Sequence, residues 1–469
     1  MTDLHFLTIA EAARLIRVRK LSPVELTKAY LARIEALDPK LNAFILVLAE
    51  SALAEAKKAE AEIAAGGWKG PLHGIPIGLK DIYNTAGIAT TGHSALYRDH
   101  VPAEDARTVQ LLKAAGAIMI GKLSTMEFAI GGPSFDLPWP PARNPWDLER
   151  QPGGSSSGSG AAVATGLCTG AMGTDTGGSI RNPAAWCGIA GLKPTYGRVS
   201  RRGILPLSFT MDHGGPMAWT SEDCALMMEV LAGYDPLDPG SADVPVPDFA
   251  GAIGTGVKGL RIGVIRHFFE KDVLPSAETG AAVEAAIAVF QSLGAVMSDV
   301  TLSPMEHYNA AGSLISRAEA FAFHAKTLKA TPELYGASGR GRLMAGAFVK
   351  ASDHVSALRH RTRLVAEMSA AMREVDVMIL PTVVDVAPKF DPDGPLSFGA
   401  SYTRPFNVTG FPAHSICSGY SAAGLPLSLQ IVARPFEDHV ALKAGDAFET
   451  ATQYRAVRPA FATIEALAA

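Results

Sequence analysis

The sequence predicts an α/β fold, and three observations point to it. From about residue 70, short apolar runs of strand length alternate with helical stretches. That rhythm favours a parallel sheet with right-handed crossovers. At 469 residues with 48% hydrophobic side chains, the chain can bury one unusually large core or divide into two or three domains. No internal repeat interrupts it and no disordered tail is expected, so one compact domain is the reading.

Residues 1–65 read as an N-terminal helical segment of that same domain. Thr8-Ile9-Ala10-Glu11 and Ser22-Pro23-Val24-Glu25 both have the form of a capping box, the second with Pro at the first helical position. These helices should end near Lys20 and near Asp38-Pro39, and a third, rich in Ala, Glu and Lys, at Gly66-Gly67. Over residues 66–469, strands are predicted at Ile75–Leu79, Ala117–Ile120, Gly191–Ser200, Leu260–Ile265, Ala295–Val300, Val375–Pro381 and Leu425–Val432. Helices are predicted at Thr108–Ala115, Gly280–Leu293 and Asp438–Thr450. A loop rich in Pro and Trp spans Pro133–Pro152. Residues 303–365 are polar and helical but the least regular part, and read as a cap over a site.

Composition excludes several classes. A net charge of −4 lacks the basic footprint of a nucleic-acid binder. No run of about 18 apolar residues is present, so no spanning helix is expected. The N-terminus lacks a basic start followed by an apolar block, so no signal peptide is read there. Cys168, Cys187, Cys224 and Cys417 fall at unrelated spacings, which points to free thiols in a reducing cytoplasm. Neither HExxH nor an acidic cluster appears, so neither metal nor cofactor is expected.

Residues 151–182, QPGGSSSGSGAAVATGLCTGAMGTDTGGSIRN, are the stretch that the rest is arranged around. Most residues between Gly153 and Ala171 are Gly, Ala or Ser. Ordering glycine costs more backbone entropy than ordering any other residue, so such a run needs a reason. A flexible linker would be one, but the run leads directly into Ala161-Ala162-Val163-Ala164 and Leu167, which read as a buried helix. The alternative is close approach of backbone to a polar ligand, or tight helix–sheet packing. In Thr176-Gly177-Gly178-Ser179, two glycines present bare N–H groups just ahead of a hydroxyl. That is the local chemistry of an oxyanion hole beside an attacking serine. The same serine also reads as a turn residue capping the next segment.

A nucleophilic serine needs a base. His93, His100 and His213 are nearest in sequence, but no histidine has a telling neighbourhood. Lys80 is the better candidate because it ends an apolar strand, where desolvation favours the neutral amine. Bringing a lysine from about 10.4 to roughly 7–8 takes about 4 kcal/mol, within what burial supplies. A Lys80–Asp81 surface pair is the competing reading. Gly154-Ser155-Ser156-Ser157-Gly158 spells GxSxG, yet no strand precedes it. Gly116 to Lys122 spells GxxxxGK, yet Leu123 comes next and the interior is strand core.

GGSSSGSGAAVA, followed by GTDTGGSIRNPAAWCGIAGLKPTYGRVS, closely resembles the amidase signature family. GIPIGLKD at Gly74–Asp81, GKLSTMEFAIGG at Gly121–Gly132, RNPWD at Arg143–Asp147, GPM at Gly215–Met217 and TRPFNVTGFPAHS at Thr403–Ser415 extend the resemblance over most of the chain from about residue 65. It implies a large mixed β-sheet of about eleven strands, covered by helices on both faces. It also implies a Ser–cis-Ser–Lys triad. Ser179 would be the nucleophile, Ser155 the bridging serine after a cis Gly154–Ser155 peptide, and Lys80 the base. The N–H groups of Thr176, Gly177, Gly178 and Ser179 would form the oxyanion hole. Substrate-binding residues are expected at Gly131 and Gly132, with walls from Phe128–Ser134, from 303–365 and from near Thr403–Phe411. Ser157 stands where commoner members carry Gly, with little consequence expected. His93 interrupts a TTxGS-like run and is expected to alter a nearby wall.

The resemblance therefore implies a stand-alone serine amidohydrolase that cleaves a carboxylic amide, anilide or carbamate through an acyl-enzyme on Ser179. Its expected partners are a small amide and water, with a homodimer as the expected association and no nucleic acid or membrane. Two alternatives remain open. One is the A subunit of a glutamyl-tRNA amidotransferase, a glutaminase that hands ammonia to the site of another chain; residues 303–365 do not resemble that protein. The other is a non-catalytic binding protein that retains the fold.

Overall fold

The computed structural model describes residues 4–391 and 401–462. The expectation of an ordered tail lies, for 463–469, outside the described residues. Eleven strands form one sheet: β1 (Phe44–Val47), β2 (Pro76–Lys80), β3 (Ile118–Leu123), β4 (Gly170–Asp175), β5 (Ala190–Lys193), β6 (His213–Ala218), β7 (Arg261–Val264), β8 (Val296–Asp299), β9 (Val377–Pro381), β10 (Ala413–Tyr420) and β11 (Pro426–Ala433). Their spatial order is β1-β3-β2-β4-β6-β5-β10-β11-β9-β7-β8.

The sheet is mixed. β3, β2 and β4 run parallel on one flank and β8, β7 and β9 on the other. Antiparallel pairs through β6, β5, β10 and β11 join the two flanks. The strand–helix–strand rhythm thus holds on the flanks and fails in the middle, where antiparallel neighbours need no crossover helix. Every residue of β2, β3, β4, β6, β9 and β11 is buried, which requires cover on both faces.

Among the boundaries that differ from the sequence reading, two have a clear local cause. Residues 4–65 are not wholly helical: β1 pairs antiparallel with β3 at the sheet edge. The helix Pro23–Leu41 stops where Asn42 turns left-handed at φ 55°, and the Asp38 carboxylate accepts from the N–H groups of Ala43 and Phe44. That carboxylate releases the chain into the strand. The strand expected over Gly191–Ser200 ends at Lys193, because Pro194 cannot donate to a ladder. Of the two capping boxes, Thr8–Glu11 is reciprocal. Ser22 caps Val24 and Glu25 but directs its own hydroxyl proton to Glu60.

The segment 303–365 folds as the helix Met305–Ala330, the shorter helix Ala337–Met344 and the start of Ala351–Ala371. The first buries Met305, Tyr308, Ala311 and Ile315 in the core beneath β7 to β11. The second is tied to the 127–136 loop: Glu127 accepts from Gly336 N (3.0 Å), and Gly132 N donates to Ser338 Oγ (3.2 Å). The segment therefore lies against the loop after β3.

Candidate active site

Lys80 is the last residue of β2, and β4 runs parallel beside it, so the ends of both strands open at the same edge. Crevices at such strand ends are where α/β sheets take ligands. Lys80 is fully buried, and its Nζ donates to Ser155 Oγ and to Thr174 Oγ1, each at 2.7 Å. Burial brings its pKa down to about 7, against the opposing pull of Asp175 and Asp212. The Lys80–Asp81 surface pair does not form. Asp81 turns the other way, to the buried Lys122 at 3.1 Å, leaving the Lys80 amine among hydroxyls.

The glycine- and serine-rich stretch is wholly inside. The helix Ser157–Thr165 is buried at every residue, which disposes of the linker reading. A Cβ on Gly158 would lie 2.3 Å from the Ala43 carbonyl oxygen, and one on Gly153 would lie 2.6 Å from Pro183 Cα. Close backbone approach is thus what these glycines serve. Ser156 Oγ links the stretch to β4 through Thr174, accepting from its N–H and donating to its carbonyl, both at 3.2 Å. Ser156 N also donates to Ser179 O at 3.3 Å, which draws the two serine segments together. The peptide Gly154–Ser155 is cis. Ser155 is buried and Ser179 half-buried, so the second serine is the more accessible of the two. Ser157 Oγ reaches only the Ser124 carbonyl.

Asp175 holds the turn Thr176–Ser179. Its carboxylate accepts from Gly178 N (2.8 Å) and Ile180 N (3.1 Å) and pairs with Arg181 at 3.0 Å. Burial alone would raise Asp175, but the Arg181 guanidinium and Asn407 keep it well below the usual carboxylate range. Arg181 in turn donates to Thr403 O and Gln430 Oε1. This corrects one expected role: the Gly178 N–H is already engaged by Asp175. No hydrogen bond among the described residues engages the N–H groups of Thr176, Gly177 and Ser179. Gly178 is required for its backbone, with φ 128°, and a Cβ there would meet Thr403 Oγ1 at 2.3 Å. Thr176 Oγ1 donates to Asp212 at 2.6 Å, a carboxyl that burial pushes up to about 6. Asp175→Asn is expected to cost about 3–5 kcal/mol of stability by leaving Arg181 buried without its counter-charge. Chemical denaturation would check it, and a loss under about 1 kcal/mol would mean the turn does not depend on this pair.

Ser179 opens on a cavity of about 700 Å³ whose walls include Gly131, Gly177, Asn182, Arg317, Arg342 and Arg404. The expected walls therefore contribute in part. Gly131 lines this cavity, whereas Gly132 and His93 line a smaller neighbouring one. A third cavity, of about 230 Å³, lies beyond Thr174 and Thr176, against Asp212 and His213. His213 Nδ1 bonds the Asp175 carbonyl (3.0 Å), and His93 bonds Trp139 O and Ser124. Among the described residues no histidine is hydrogen-bonded to Ser155 or Ser179. Reading the sequence missed Thr174, Asp175, Asp212 and Asn182, whereas Arg317, Arg342 and Arg404 fall within expected wall segments without having been singled out. For Asp175, the spacing Asp-x-x-Gly was a usable signal of a side chain capping its own turn.

A family model described as Amidase matches residues 25–442. The A subunit of the glutamyl-tRNA(Gln) amidotransferase of Moorella thermoacetica is 40% identical, over 97% of this chain and 99% of that protein. A solved chain from a vestigial protein complex bearing on the origin of an s-triazine catabolic enzyme superposes with a TM-score of 0.89 at 32% identity, covering 95% of this chain and 99% of that one. A bacterial aryl acylamidase of the amidase signature family superposes with a TM-score of 0.88 at 27% identity, covering 97% and 98%. The non-catalytic reading falls on these matches: the chain belongs to the amidase signature family and is an amide-hydrolysing enzyme.

Proposed function

We propose that this chain is a serine amidohydrolase in which Lys80 and Ser155 move a proton to and from Ser179. The observation that carries the reading is a buried amine with a pKa of about 7, held 2.7 Å from Ser155 Oγ. A neutral Lys80 accepts the Ser155 proton as Ser155 takes that of Ser179. Ser179 Oγ then attacks the amide carbonyl. The developing oxyanion is held by the N–H groups of Gly177 and Ser179, with that of Thr176 adjacent, while Gly178 fixes the turn through Asp175. As the intermediate collapses, Lys80 returns the proton through Ser155 to the leaving nitrogen, which is what lets a poor amine leaving group depart. Water enters and the same groups release the acid. Four free, buried thiols suit the cytoplasmic setting expected, and no helix among the described residues is long and apolar enough to cross a membrane.

The curated relatives favour a second reading, since several at 38–40% identity carry the name of an amidotransferase A subunit. One experiment separates the two: a panel of amides, anilides, carbamates and glutamine offered to the isolated chain, across pH. For the hydrolase, turnover needs no other protein. Below about pH 7, kcat/KM should rise roughly tenfold per pH unit as the Lys80 ammonium loses its proton, then level off. Turnover absent from the isolated chain and restored by added amidotransferase subunits would favour the second reading, with that assembly in place of the homodimer. A flat profile between pH 5 and about 8 would remove Lys80 as the base.

A further inference from the structure

The helix Ala337–Met344 is weak on its own terms. Two of its eight residues are glycine, which disfavours a helix interior, and a helix so short is marginal in water by itself. Gly336 stands at its N-cap and has no side chain with which to cap it. The caps come from elsewhere in the chain. Glu127 accepts from Gly336 N at 3.0 Å and Asp136 from Ala337 N at 2.8 Å, and carboxylates are favoured at that end of a helix. Glu127 is 2% exposed, and its other oxygen accepts from Ser94 Oγ at 2.7 Å. One carboxylate therefore joins three stretches that lie far apart in sequence.

The backbone after Glu127 is held in a costly shape. Phe128 and Ala129 have φ of 46° and 63°, a left-handed conformation that persists in such residues only where the surroundings impose it. Met126 N donates to Ser155 O and Phe128 N to Gly92 O, which fixes the inner end of the loop. Ala129, Ile130 and Gly131 of the loop face Gly341 and Ala345 of the outer segment across the cavity in front of Ser179, which all five line. Phe128, Tyr335 and Leu343 pack together beside it, but apolar contact is non-directional and does not set the register of helix on loop. The carboxylate fits more closely: a Cβ on Gly339 would lie 2.5 Å from Glu127 Oε2.

We propose that Glu127 is a positioning residue, which caps the helix Ala337–Met344 from across the chain and thereby sets the gap between two walls of the cavity. Its side chain bonds Ser94 and Gly336, not Ser179, Ser155 or Lys80, so it acts on where substrate sits rather than on the proton relay. The proposal rests on the hydrolase reading only in that substrate occupies this cavity.

The test is hydrogen exchange of the full-length chain, read by mass spectrometry over residues 336–344 and, for reference, over the buried helix Ser157–Thr165. Gly339→Ala separates two arguments. Helix propensity alone would slow exchange over 336–344. Displacement of the carboxylate from Gly336 N by the new methyl should instead speed it about fivefold or more. Glu127→Leu, which loses both accepted bonds, should speed it about tenfold or more with the reference unchanged. Glu127→Gln can still accept from Gly336 N and donate to Ser94 Oγ, and should stay within about threefold. Slower exchange in Gly339→Ala, or equal acceleration of both segments in Glu127→Leu, would overturn the proposal. Inactivation by phenylmethanesulfonyl fluoride gives the functional readout. In Glu127→Leu its half-saturating concentration should rise about threefold or more with the limiting rate held within about twofold. A fall in limiting rate with half-saturation unchanged would also overturn the proposal. No labelling of the unaltered chain would sink the hydrolase reading and leave the helix–loop joint to stand on the exchange data.

Discussion

Ser179→Ala is expected to lower kcat/KM by at least about 10⁴-fold, because the acyl-enzyme can no longer form. What remains would come from main-chain donors at Gly177 and the positioning of substrate, neither of which the substitution removes. Binding should persist, since the hydroxyl supplies one small contact in a cavity of about 700 Å³. A serine-directed sulfonyl fluoride should add mass to the unaltered chain at Ser179 alone. Ser155 is 1% exposed and its hydroxyl is bonded to Lys80, so it should stay unlabelled. Retention of more than about a tenth of the activity, or an adduct on Ser155, would place the nucleophile elsewhere.

Lys80→Met should cost about 10³-fold or more in kcat/KM, the upper part of what positioned proton transfer contributes. Met fills a similar volume without a charge to desolvate, so the thermal midpoint should hold or rise. A fall in activity without a fall in stability is the signature that distinguishes a base from a structural residue. The rise in rate around pH 7 should disappear with it, since the group that titrates there is gone. An intact acid limb in the variant would assign that titration to another group, with Asp212 the first to examine because burial pushes it to about 6.

How far the sequence could be read depends on distance along the chain. Lys80 and Ser179 each sit in a local pattern that marks them as candidates, Ser155 enters only through the family resemblance, and the flanking strands β2, β3, β7 and β9 are apolar enough to be recognised. β4 (GAMGTD) and β6 (HGGPMA) were not, because Gly, Pro and Asp are poor strand formers and only their neighbours make them strands. Pro216 is tolerated because registered pairing with β5 stops at Met217, leaving it opposite Met172 of β4 alone. The Gly178 N–H reads as free only when the local Asp-x-x-Gly signal is passed over, while the Asn407 amide that also holds Asp175 lies far along the chain. Arg317 and Arg404 lie far apart in sequence, and each alone reads as a surface charge. Only the fold brings them to one wall.

The helix Ser157–Thr165, β4 and the helix Arg181–Cys187 are buried at every residue, and a Cβ on Gly158 or Gly173 would meet a neighbour at 2.3 or 2.7 Å. The far wall of the cavity comes instead from a separate stretch, between Met305 and Ala345, with much of its surface open to solvent. On the proposed mechanism, the residues that break the bond and the walls that would choose the substrate lie in different parts of the molecule. Substitutions in the outer helices should then alter which amide is taken while leaving the proposed bond-breaking residues in place.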